Sequence, residues 1–299
     1  MMDHRHDSVN NIRLAFFLNL AFTFLEIAGG MMTNSLAIIA DALHDLGDSF
    51  SLGLSWYLEA YSKKKNDRTF SYGYHRFSLL GALINAVVLI VGSLFILSEA
   101  VPRLLHPEHS HAPGMLMLAI IGIVVNGIAV IRLRRGEGSL NTQVVAWHLL
   151  EDVLGWVAVL VVSITLLFRD IHLLDPLLSI IITLYVLYNV VGNLKRTVLL
   201  FLQAVPRDVN IGDVEAALRG IDKVRSIHHT HVWSLDGYHH VLTSHIVVAC
   251  DIERKDIRRI KSAVGEIAAR KNIEHTTLEI EYEGEICSME GGPPDDVHE

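Results

Sequence analysis

Apolar residues fill the first two-thirds of the chain in six long blocks separated by short polar stretches. The blocks cover about 11–32, 36–61, 78–101, 113–133, 143–168 and 175–203, and each is close to the ~20 residues a helix needs to cross a bilayer. After Pro206 the pattern shortens. "NIGDVEAALRGID" reads as a helix, with Asp213 near its first turn where a carboxylate suits the helix dipole. "VRSIHHTHVWSL" and "YHHVLTSHIVVAC" read as two strands divided by the turn residues "DG". "RKDIRRIKSAVGEIAARKN" returns to helical spacing, with Ile257, Ile260, Val264 and Ile267 on one face. "TTLEIEYE" alternates, Leu278, Ile280 and Tyr282 against Thr277, Glu279 and Glu281.

The predicted fold class is therefore an α-helical membrane protein, with six transmembrane helices followed by a cytoplasmic α/β domain. The domain's αββαβ order is compatible with a ferredoxin-like layer of helices on a sheet. The expected divisions are an N-terminal tail at 1–10, a membrane domain at 11–205, the α/β domain at 206–286 and a disordered tail at 287–299.

Composition supports this division. Hydrophobic residues make up 51% of the 299 positions, and mean hydropathy is +0.37, too apolar for an ordinary soluble protein. The formal net charge is −8. Residues 206–299 hold 11 Lys and Arg against 18 Asp and Glu, so almost all of that charge belongs to the tail domain and nucleic acid is excluded as a partner. Cys250 and Cys287 are too few for a disulfide framework and lack CxxC spacing. Lys63, Lys64, Lys65, Arg68 and Arg76 follow the second span, and Arg132, Arg134 and Arg135 follow the fourth. The alternate loops are poor in basic residues, so both termini are expected in the cytoplasm.

Against this apolar background, "DALHDLGDSF" places Asp41, His44, Asp45 and Asp48 inside the second span. Ionisable groups at bilayer depth cost about 2.5–3.5 kcal/mol each on insertion scales. The four lie within an arc of about 100° on one helix face, and His44 and Asp48 are roughly 6 Å apart along the axis. "AWHLLEDVLGW" in the fifth span repeats the spacing with His148 and Asp152, and Glu151 lies beside them. Two HxxxD pairs on antiparallel spans offer two imidazoles and two carboxylates, a set that suits tetrahedral zinc. The bland alternative is a set of polar contacts between helices. Asp41, Asp45 and Glu151 fit the roles of supporting groups, proton carriers or helix-interface residues.

These features resemble the cation diffusion facilitator family, in particular its bacterial zinc/cobalt/cadmium exporter branch. The likeness rests on six spans, "SLAIIADALHDLGDS", "YGYHR" before the third span, "HLLED" on the fifth and the α/β tail, from about Asn11 to Glu281. The resemblance implies proton-coupled export of a divalent metal by a homodimer in a bacterial inner membrane, with His44, Asp48, His148 and Asp152 as the transport site. It implies Zn2+ as both transported and regulatory ion, with no organic cofactor. In the tail it implies regulatory ligands among His228, His231, His245, His275 and Glu281, to be weighed against solvated strand-edge histidines. Asp67 and His75, in the loop after the second span, lie near a further family site that they match only loosely. The loop "LRRGEGSLN" lacks the His-rich run of many eukaryotic members.

Three other functions are distinguishable. A metalloenzyme of the HExxH type has no such string here, and no enzyme activity is expected. A metal receptor would bind without moving its ion. A channel would conduct without a proton gradient. The ion itself is open at this point, with cadmium, cobalt and iron as the rivals of zinc.

Overall fold

The computed structural model describes residues 3–62, 66–135, 140–169, 171–287 and 289; the side chains of 3–15, 18, 52, 55, 56, 58–62, 132–135 and 140–148 fall outside the description. The chain divides into two compact units, residues 1–195 and 196–299.

The first unit is helical: α1 (Asp3–Thr33), α2 (Leu36–Ser62), α3 (Phe77–Leu105), α4 (Ala112–Arg135), α5 (Leu140–Phe168) and α6 (Leu174–Phe201), whose last turns reach into the second unit. α1 starts at Asp3, so most of the stretch expected as an N-terminal tail is helical. Hydropathy marks the apolar length of a helix and is blind to a polar extension. Among the described residues, four helices are long and apolar enough to cross a membrane: Phe77–Leu105, Ala112–Ile131, Leu149–Phe168 and Leu174–Phe201. α2 falls short on composition because Asp41, Asp45 and Asp48 crowd its middle.

Three packing features position these aspartates. First, Ala37 and Ile38 of α2 pack with Met115, Leu118 and Ala119 of α4 and with Trp156 and Val159 of α5. Gly122 of α4 lies against the Trp156 ring so closely that a side chain there would collide with it. Second, α3 and α6 meet through Ala86, Leu89, Val186 and Val190. Third, the start of α2 is tied down. Asn34, at φ 52, turns the chain out of α1. The buried Asp175 carboxylate of α6 accepts hydrogen bonds from Ser35 Oγ (2.5 Å), Leu36 N (2.8 Å) and Ala37 N (3.4 Å). These are the backbone donors that the first turn of a helix cannot satisfy itself.

The second unit follows the αββαβ order: α7 (Ile211–Arg219), β1 (Val224–Ser234), β2 (His240–Val248), α8 (Arg254–Arg270) and β3 (Ile273–Tyr282). The small mixed sheet runs β1-β2-β3. β1 and β2 pair antiparallel across the Asp236–Gly237 turn, and β2 and β3 pair parallel, as a crossover through α8 requires. Val214 and Leu218 of α7 and Ile260, Val264 and Ile267 of α8 pack on Ile227, Leu242, Ile246 and Val248. By strand alternation His245 and Glu281 occupy the sheet face away from that core.

Candidate metal centres

In the first unit the spacing does what helical geometry demands. His44 Nε2 and Asp48 Oδ2 are 3.7 Å apart on α2, both partly buried. Asp41, Asp45 and, on α5, Asp152 are buried, and α2 and α5 touch. Their approach is permitted by Gly155, one turn beyond Asp152, whose missing side chain would meet Asp41 Oδ1. On the α1 side, Asn19 Nδ2 donates to the Asp45 carbonyl (3.2 Å) and to Ser49 Oγ (3.0 Å), fixing the register of α1 against this face. His148, the fourth expected member, has its side chain outside the described residues. Glu151 is exposed, unlike its buried neighbour Asp152. Glu26 of α1 is a further buried acidic residue of this unit, unforeseen from the sequence: it is 0% exposed. The signal was available, as a single acidic residue inside "FTFLEIAGG".

In the loop after α2, the Asp67 carboxylate accepts hydrogen bonds from Thr69 N (2.8 Å), Phe70 N (2.8 Å) and the Tyr74 hydroxyl (2.6 Å). That is the pattern of a residue organising a turn. His75 is half-buried nearby in the chain.

The second unit gathers a tighter set. His228 of β1 stands directly opposite His245 of β2. His245 Nδ1 is 2.7 Å from Glu281 Oε1, and His228 Nε2 is 3.0 Å from Glu281 Oε2. The Cys287 sulfur lies 3.5 Å from His245 Nδ1. One ligand atom from each of His228, His245, Glu281 and Cys287 falls within 4.8 Å of all the others. A chain irregularity between His228 and His231, with His229 at φ 47, breaks the alternation of β1, so the His229 ring also comes within 5.1 Å of His245.

Of the five residues implied for this site, His228, His245 and Glu281 come together. His231 and His275 are exposed, and His275 pairs with Val241, away from His245 in the register. Cys287 was placed in a disordered tail by sequence; it is buried, 6% exposed, against the cluster. Burial works against the Glu281 charge, but hydrogen bonds from His245 and Cys287 and the nearby imidazoles outweigh it and hold the carboxyl below its ordinary range. Two nitrogens, one oxygen and one sulfur at such separations fit a four-coordinate zinc-type ion, whose ligands lie about 2.0–2.3 Å from the metal.

Comparison with known proteins gives a consistent result. Residues 12–202 match the family described as cation efflux transmembrane domain, and 206–283 match the cation efflux protein cytoplasmic domain. The chain is 31% identical over 288 residues to the "Cadmium, cobalt and zinc/H(+)-K(+) antiporter" of Bacillus subtilis, covering 94% of this chain and 93% of the relative. It is 32% identical to the "Metal cation efflux system protein CzcD" of Cupriavidus metallidurans, over 93% of this chain and 88% of that one. It is 31% identical to the "Zinc transporter ZitB" of Pectobacterium atrosepticum, over 94% and 90% respectively.

Proposed function

Because the chain belongs to the cation efflux family, we propose that it exports divalent metal, zinc first, in exchange for protons by alternating access as a homodimer. The observation that carries this reading is the α2–α5 site: His44 and Asp48 one helical turn apart beside the buried Asp152, inside an apolar bundle. Buried charges without such a task are a cost in a membrane helix. Imidazole nitrogen with carboxylate oxygen favours zinc-class ions over the hard ions that all-oxygen sites prefer. Relatives named for zinc, and for cadmium, cobalt and zinc with H(+), support the ion class and the counter-ion.

On this reading all six long helices cross the membrane, a bacterial inner membrane, with both termini in the cytoplasm. α2 is included because its aspartates face the bundle. His148 completes the four-ligand transport site. The tail unit is ferredoxin-like and acts as a regulatory zinc sensor through His228, His245, Glu281 and Cys287. A bound ion there would tie β1, β2, β3 and the segment after it into one piece, raising the unit's stability by mass action.

The deciding experiment is zinc uptake into proteoliposomes, with and without an imposed pH gradient, for the wild type and Asp152→Ala. Gradient-stimulated uptake that the variant lacks is expected. Zinc binding with no uptake would replace the exporter with a receptor.

A further inference from the structure

Away from both centres, two histidines from different connections meet ring to ring. His109 lies between α3 and α4, and His172 between α5 and α6. Their ring centroids are 4.1 Å apart, with the planes at 72°. The loop that carries His109 is held from several sides. The Asn34 amide donates to the His109 carbonyl (3.3 Å) and to Glu108 (3.1 Å), while the Asn34 carbonyl accepts from Arg103 (3.2 Å) and from Ser110 Oγ (3.2 Å). His111 N donates to the Thr33 carbonyl at 2.8 Å. Its ring accepts from Gly114 N, which commits that imidazole to the start of α4. Arg103 is balanced by Glu108 at 3.1 Å. His109 itself is left exposed, and His172 is half-buried. Two residues after His172, α6 begins, and its Asp175 holds the start of α2. The ring pair therefore links the loop clasped by the α1–α2 corner to the start of α6.

We infer that His109 and His172 bind a zinc-class divalent cation, and that the bound ion brakes export from the far side. Two imidazoles on one tetrahedral zinc have centroids about 5 Å apart, given Zn–N bonds of about 2.0–2.1 Å. Rings that part by about 1 Å therefore admit the ion, with water completing its coordination. Imidazole donors suit zinc and its neighbours better than hard ions. The braking role rests on the exporter reading, in which these connections face the compartment that receives the metal. Outward release requires the helix ends there to part. An ion shared by His109 and His172 binds the closed arrangement, with the rings adjacent, better than a parted one. It shifts the equilibrium toward closure by that difference in affinity. Exported metal that accumulates outside then slows its own export.

The binding test uses the full chain carrying Asp48→Ala and His245→Ala, which disable the two centres described above, and reads zinc by titration calorimetry. Adding His109→Ala or His172→Ala is expected to weaken the remaining zinc binding by at least about 10-fold, since even groups behind a ligand cost 10–100-fold. His109→Phe keeps an aromatic ring against His172 but offers no nitrogen, so it should lose binding equally. Zinc binding retained in His109→Phe reduces the pair to ring packing and overturns the inference. If His172→Ala fails to assemble, the two His109 variants decide. The flux test uses inverted membrane vesicles preloaded with zinc chloride, with the chain otherwise wild type. Lumenal zinc should slow wild-type uptake, and the half-inhibiting concentration should rise by about 10-fold or more in His109→Phe. Wild-type vesicles that take up no zinc overturn the exporter reading and the brake with it. Uptake slowed equally in wild type and His109→Phe overturns this inference alone.

Discussion

The two candidate metal centres draw on imidazole and carboxylate in opposite mechanical settings. In the membrane unit, His44 and Asp48 are held by one helix at 3.7 Å, and Asp152 comes from another helix, α5, which lies against Asp41 of α2 at Gly155. In the tail unit three of the four donors, His228, His245 and Glu281, sit on three hydrogen-bonded strands, and Glu281 is already engaged by His245 at 2.7 Å and by His228 at 3.0 Å. Helices that meet through small residues can part, whereas a strand ladder holds its side chains in fixed register. On the proposed function, a cargo site must let go and a sensing site must hold. The geometry separates those two demands between the units.

The largest effect that could break this contrast comes from the membrane unit. Asp48→Ala and Asp152→Ala are each expected to lower zinc flux by more than about 100-fold, since even groups that merely support ligands cost 10–100-fold. Zinc binding by the tail unit should be unchanged in both, as isothermal titration would report. Wild-type flux in either variant removes that residue from the site.

The next test sharpens the tail side. Cys287→Ser replaces a thiolate donor with a poor hydroxyl ligand and is expected to weaken zinc at the tail site by about 10–100-fold. His231→Ala and His275→Ala should leave it unchanged. Measured in an Asp48→Ala background, equal losses in all three variants would return these side chains to the role of solvated strand residues.

A third comparison concerns the anchors. Asp175→Asn keeps the shape but gives up the charge-assisted bonds to Ser35 and the start of α2, at about 1.5–3 kcal/mol for a hydrogen bond to a charged group. The midpoint of thermal unfolding of the membrane unit should fall accordingly, and an unchanged midpoint would deny the cap.

The smallest effect is in the tail. Asp256, in the first turn of α8, has Lys223 Nζ at 2.6 Å. The hydrogen bond from Lys223 outweighs burial and holds its carboxyl below the ordinary value of 3.8. A depressed carboxyl stabilises the fold above its ordinary value, and that stabilisation is lost as pH falls through the folded-state value. Asp256→Asn should therefore lower the tail's melting temperature by a few degrees at pH 7 and by less with each step below pH 3.8. A difference that stays constant with pH would assign the effect to packing.

How much of this was legible in sequence depended on whether a regular period carried it. The HxxxD pairs were readable because helical period 3.6 places i and i+4 on one face. The αββαβ order was readable from the switch between periods 3.6 and 2. Glu26 was passed over because one residue makes no period. His229 was unreadable because a left-handed residue inside β1 breaks the alternation that strand reasoning assumes. Cys287 was misplaced because it follows the last strand in a stretch of tail-like composition, and only tertiary folding returns it to His245.

The tie between Asp175 and the start of α2 has a consequence for motion. With Ser35, Leu36 and Ala37 pinned, α2 becomes a lever with its fulcrum at one end. Asp48 lies about 18 Å along the axis from that fulcrum at 1.5 Å per residue. A tilt of about 10° then moves its carboxylate by about 3 Å, more than the roughly 2 Å length of a zinc–oxygen bond. Such a tilt would carry His44 and Asp48 together away from Asp152 of α5 while the pivot at Asp175 kept its hydrogen bonds.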